Sequence, residues 1–222
     1  MNLGYACINM TLSGQKPKVT TNRSMIKKTF KEKGISYAGE LGMLNAADLG
    51  RILKWNVDNG IKCFRLSSEF FPWASEYKFE DLPQYLRIKT LLAGAGHYAK
   101  SNGLRLTSHP GPFNVLVSPH KHVVDNTITD LRIHGEVFDM LGLERSPYNK
   151  INIHCNGVYG DKQSAMDRFC KNFELLPESV RTRLTVENDD KASMYSVKDL
   201  MYIHERIGIP IVFDYHHHKF CT

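Results

Sequence analysis

Six short apolar or β-branched runs, helical stretches between them, and no Pro/Gly/Ser-rich linker predict an α/β fold with a parallel sheet. The runs fall at 3–7, 62–66, 104–107, 150–154, 183–186 and 210–213. A closed β/α barrel has eight strands over about 250 residues. Six strands in 222 residues leave two readings, an open sheet or a TIM (β/α)8-type barrel lacking its last two β/α units. Polar residues at successive strand ends favour the barrel, so residues 1–222 are read as a single, incomplete barrel domain.

Each element has a local reason. After the first run, residues 13–40 are polar and basic, which predicts a long loop followed by a short helix. Helices are expected at 45–60, 85–103, 126–143, 162–176 and 196–208. Apolar residues there recur at spacings of three and four, as in Leu49, Ile52, Leu53 and Val57. Asn59-Gly60, Asn102-Gly103 and Gly208 before Pro210 are stop signals. Asn45, Asn126 and Ser196 are suitable N-caps.

Composition narrows the function classes. The chain is 42% hydrophobic and 23% charged, an ordinary globular profile, and no segment approaches the roughly 20 apolar residues of a membrane span. The first residues lack the basic flank and apolar centre of a secretory signal. Cys7, Cys63, Cys155, Cys170 and Cys221 are odd in number and never form C-x-x-C. That disfavours a disulfide framework or a thiolate zinc site and predicts reduced thiols in the cytoplasm. A net charge of +6 is compatible with a phosphate backbone as partner.

The chemistry is concentrated where barrel enzymes carry it, at the C-terminal strand ends. "LTSHPG" delivers His109, "INIHCN" His154, "LTVEND" Glu187, and "VFDYHH" both Asp214 and His217. Imidazole mixed with carboxylate suits Mn, Zn, Fe or Co. Asp214 and His217 are three apart, so a tight turn after the strand can aim both at one point. "HHH" at 216–218 is shorter than an expression tag and follows a strand, so it is read as native sequence. Cys155 follows His154 on a strand and points to the other face, which separates the two chemically. His134 and His204 sit in helical patterns and are expected to be structural; "HKH" at 120–122 reads as a polar loop.

The stretches "LGYACINMTL", "TNR" (21–23), "FRLSSEFFPWAS", "SHPG", "INIHCNGVYGDK", "LTVENDD" and "VFDYHHHK" together resemble the UV damage endonucleases. The resemblance implies a β/α barrel of the endonuclease IV and xylose isomerase group. It also implies metal-dependent nicking of DNA immediately 5′ to cyclobutane dimers and 6-4 photoproducts. On it, His109, His154, Glu187, Asp214 and His217 match metal ligands for up to three divalent ions, commonly Mn2+, with Zn2+ or Co2+ as alternatives. Tyr5 and Asn9 match residues beside the lesion and the scissile phosphate, and Glu187, Asp214 and His217 fall in the catalytic set. The implied partner is damaged double-stranded DNA, bound by a monomer, with no membrane association.

Three departures accompany the likeness. Pro112 and Phe113 stand where the family has a glutamine and a tyrosine that probe the base stack; wedge bulk is kept and polar readout is lost. Glu76 stands where a histidine ligand is usual, and a carboxylate still suits manganese. Ligands and a lysine that the family takes from its last two strands have no counterpart after Thr222, which suggests a truncated chain. Arg23, with Lys16, Lys18, Lys27, Lys28 and Lys31, is a candidate phosphate contact. The competing readings are a sugar isomerase or aldolase of the same barrel group, and a lesion-binding protein that does not cut.

Overall fold

Alternating strands and helices form two compact units in the computed structural model, which describes residues 2–222. The first holds the described residues through Ser108 together with Val137–Glu144, and the second holds His109–Glu136 and Arg145–Thr222. In the first, β1 (Gly4–Ala6), α1 (Met10–Ser13), α2 (Lys27–Asp58), β2 (Cys63–Leu66), α3 (Tyr85–Ser101) and β3 (Arg105–Ser108) follow in order. Next in the chain comes α4 (Lys121–Met140). Then β4 (Ile151–His154), α5 (Lys162–Phe173), α6 (Glu178–Arg181), β5 (Leu184–Glu187), α7 (Val197–Ile207) and β6 (Ile211–Val212) belong to the second unit. The strands of each unit are ordered as in the chain and every recorded pairing is parallel. This is the α/β architecture that the alternating pattern requires.

Strand burial follows from helices covering the sheet. All four residues of β5 are buried, and only His154 at the end of β4 is partly open. α5 turns Ala165, Met166, Phe169 and Phe173 inward, and it packs against α7, which buries Leu200 and Ile203. Ser196 caps α7 as expected, in a box completed by Asp199. α2 packs against α3. At Gly96 on α3 the Leu141 backbone comes so close that an added Cβ would lie on its carbonyl oxygen and 2.7 Å from its carbon.

Several boundaries differ from expectation. The basic stretch is helical from Lys27, not a long loop before a short helix, and α2 absorbs it through a break at Gly34 (φ 65°). Its solvent-facing first turns have no apolar stripe, so periodicity had nothing to register. Asn45 is therefore no N-cap: it is buried inside α2, where Oδ1 accepts from the Arg23 backbone N–H at 3.1 Å and Nδ2 donates to the Phe70 carbonyl at 2.9 Å. Asn126 is likewise internal, because α4 starts at Lys121 and a Lys121–Asp125 pair at 2.7 Å spans its first turn. The expected polar loop at 120–122 is thus the opening of α4. β6 is only two residues long. Among the described residues no helix is long and apolar enough to cross a membrane.

Candidate metal centre

Every side chain predicted at a strand end within the second unit arrives at one place. His154 and Glu187 terminate β4 and β5 and face each other in the parallel register. His109 directly follows β3, and Asp214 and His217 follow β6. Two groups of ligand atoms converge, His109–His154–Glu187 and Glu187–Asp214–His217, with the atoms of each within 4.8 Å of one another. Glu187 belongs to both.

The distances define how the carboxylate is shared. His109 Nε2 lies 3.3 Å from Glu187 Oε2, whereas His217 Nδ1 lies 3.9 Å from Oε1. His217 Nε2 is 4.0 Å from Asp214 Oδ2. The His154 ring sits between the other two imidazoles, with centroids 5.2 Å from His109 and 5.4 Å from His217.

The imidazoles are oriented by oxygen atoms behind them. His109 Nδ1 faces the Pro110 carbonyl at 3.1 Å, and His217 Nδ1 faces the Asn188 carbonyl at 2.9 Å. His154 Nδ1 faces Asp189 Oδ1 at 3.4 Å. A carbonyl or carboxylate can only accept, so each Nδ1 carries the proton and each neutral ring presents the Nε2 lone pair. This arrangement is the one histidines adopt around a divalent cation. The donor set, three imidazoles and two carboxylates without a thiolate, fits such an ion.

Asparagines complete the support. Asn188 accepts the Asp214 backbone N–H at 2.8 Å and donates to the Asp214 carbonyl at 3.1 Å. Asp214 Oδ1 accepts the backbone N–H groups of His216 and His217 at 2.7 and 2.9 Å, which is the tight turn that the spacing demanded. Asn152 donates to Glu187 Oε2 and itself accepts from Thr185 Oγ1 at 2.7 Å. Asn152, Thr185, Asn188 and Asp189 were not singled out from the sequence. Their signal was positional, two before or one to two after a ligand in "INIH" and "LTVENDD".

Charge states follow from the same contacts. Burial works against the imidazolium of His154, yet the carboxylates of Asp189 and Glu187 outweigh it and raise its pKa. Burial also works against the anion of Glu187, but His109 and His154 outweigh it and its pKa falls. Asp214 is lowered too, with burial outweighed by the two backbone N–H donors.

Other candidates separate clearly. Burial drives the Cys155 thiol well up, so no thiolate competes for an ion beside His154. His134 is buried against Asp130 at 3.9 Å, and His204 Nδ1 meets the Ile209 carbonyl at 2.8 Å; both are helix residues held structurally. Phe113 is 88% exposed and Pro112 is exposed beside it.

The remaining candidates lie in the first unit. Tyr5 donates its hydroxyl to Asn56 Oδ1 at 2.6 Å and accepts from Asn9 Nδ2 at 2.7 Å. Asn9 Oδ1 in turn caps α1 by accepting the Leu12 N–H at 2.9 Å. Arg23 is committed to Asp48 at 2.6 Å and to the Thr20 carbonyl at 2.6 Å. Glu76 is exposed at the end of a one-turn 3-10 helix and belongs to neither ligand group.

A family model described as UV-endonuclease UvdE matches residues 1–222. A UV-damage endonuclease of Neurospora crassa is 36% identical over 253 residues, spanning 99% of this chain. This chain covers 38% of that relative's length. The crystal structure of SacUVDE superposes with a TM-score of 0.87 at 33% identity, covering 100% of this chain and 72% of that one. A D-psicose 3-epimerase from Clostridium cellulolyticum superposes at TM-score 0.51 with 14% identity over 78% of this chain, 60% of its own length, a likeness of β/α fold alone.

Proposed function

The chain belongs to the UV-endonuclease UvdE family, and from that membership we propose that it acts in UV-damage repair as a divalent-metal-dependent DNA endonuclease. The reaction is hydrolysis of the phosphodiester immediately 5′ to a cyclobutane dimer or 6-4 photoproduct in double-stranded DNA. The observation that supports it is the convergence of three Nδ1-anchored imidazoles on Glu187 and Asp214.

His109, His154 and Glu187 would hold one cation, and Glu187, Asp214 and His217 a second. Mn2+ is the preferred occupant for a mixed imidazole and carboxylate set, with Zn2+ and Co2+ next. Bound there, divalent ions supply an acidified water and neutralise charge on the phosphate. The protein's own residues do the rest. The Nδ1 contacts keep the three rings neutral and aimed; Asn188 fixes the turn that carries Asp214 and His217.

Phe113 and Pro112 form the exposed wedge that enters the stack at a lesion, where poor stacking makes extrusion less costly. The Tyr5–Asn9 pair meets the strand beside the scissile phosphate, and Lys16, Lys18, Lys27, Lys28 and Lys31, all exposed, attract the backbone with Arg23. Residues 1–222 act as one β/α-barrel domain in a monomer, and Glu76 is an additional ligand candidate.

A defined photoproduct duplex with Mn2+ tests the reading, comparing the parent chain with His109→Ala and Glu187→Ala. The parent should nick 5′ to the lesion and the variants should not. Equal cutting by the variants removes the ligand assignment; binding without cutting by the parent favours a lesion-binding protein.

A further inference from the structure

Asn152 and Thr185 are register partners on β4 and β5, two residues before the partners His154 and Glu187. Side chains two apart on a strand share a face. Asn152, Thr185 and Glu187 are all buried, at 5%, 2% and 5% exposure, so their polar atoms must satisfy one another.

Only one polarity does so. The Glu187 carboxylate can only accept, so the amide of Asn152 must turn its NH2 group toward Oε2. Its carbonyl end then needs a donor, and Thr185 Oγ1 supplies one at 2.7 Å. The oxygen held by Asn152 is the one 3.3 Å from His109 Nε2; the other oxygen is left toward His217.

We propose that Asn152, oriented by Thr185, is a positioning residue that fixes the Glu187 carboxylate so that each oxygen serves one ligand group and two cations share it. The inference rests on the divalent-metal reading above. Without the amide, Glu187 can rotate and present both oxygens to a single ion.

Mn2+ titration by calorimetry, paired with electron paramagnetic resonance, tests this on the metal-free chain. The parent should bind two ions whose signal is exchange-coupled through the shared carboxylate. Asn152→Leu should weaken binding of one ion about 10–100-fold, the usual scale for a partner behind a ligand, and abolish the coupled signal. Thr185→Val, which keeps the side-chain shape, should act in the same direction by a smaller factor, and it decides the matter should Asn152→Leu not fold. Coupling that survives in the variants, with or without a general loss of affinity, overturns the role given to Asn152 while leaving the metal reading standing. A parent that binds no Mn2+ defeats the metal reading itself.

Discussion

Asp189→Asn isolates what the carboxylate behind His154 does. In the parent, Asp189 Oδ1 lies 3.4 Å from His154 Nδ1, and Oδ2 accepts the Tyr195 backbone N–H at 3.2 Å. At that separation the gross attraction between imidazolium and carboxylate is about 5 kcal/mol for an effective dielectric near 20. Burial opposes it, and the sum is a raised pKa. Asparagine has one acceptor. With that oxygen kept by Tyr195, its NH2 group faces Nδ1 and favours the tautomer whose proton sits on Nε2, the nitrogen that should bind the cation.

Two effects then compete. The loss of a partner behind a ligand costs about 10–100-fold in metal affinity, or roughly 1.4–2.7 kcal/mol. Against this, the His154 pKa falls once Asp189 no longer stabilises its charge, so protons compete less with the ion. Proton competition vanishes at high pH. The variant should therefore bind Mn2+ about 10–100-fold more weakly at pH 8.5, and the gap should narrow as pH falls toward 6, where the parent loses more to protonation. Isothermal titration calorimetry at pH 6.0, 7.25 and 8.5 measures it. Equal affinities at pH 8.5, or a gap that widens on acidification, would refute the reasoning. The metal-free proteins give an independent sign. A raised folded pKa gives stability that is complete below the unfolded value of about 6.5 and is lost as pH rises through the folded pKa. The parent's advantage in Tm over the variant should accordingly be greater at pH 6 than at pH 8.

Glu187→Gln should reduce Mn2+ affinity at both groups by more than any change behind the ligands, because one residue serves both; a calorimetric titration retaining either site would contradict that sharing. Phe113→Ala should leave Tm nearly unchanged, since the ring is 88% exposed, yet weaken binding to a photoproduct duplex by about 1–3 kcal/mol without affecting undamaged duplex, as read by fluorescence anisotropy. Gly96→Ala gains roughly 1 kcal/mol of helix propensity but meets Leu141 backbone that cannot swing aside, so overpacking of about 3 kcal/mol wins and Tm falls by roughly 4–8 °C in a thermal melt.

The alternation of apolar runs with helical periodicity fixed the α/β class and located all six strands to within a few residues, because burial on a parallel sheet needs nearly continuous apolar segments. His109, His154, Glu187, Asp214 and His217 were legible for a related reason: a strand's last residue leaves the sheet at a known edge, whatever surrounds it. Sequence order could not reveal the long basic half of α2, whose exposed turns carry no apolar stripe, nor that Asn45 is buried by a later loop's carbonyl at Phe70. The same limit hid Asn152, Thr185, Asn188 and Asp189. Their residue types are commonplace, and their roles exist only because strand register sets an amide against a carboxylate and a turn brings Asp214 back to Asn188. Which nitrogen of each histidine faces inward was decided by tertiary structure alone, since it depends on the oxygen that stands behind the ring.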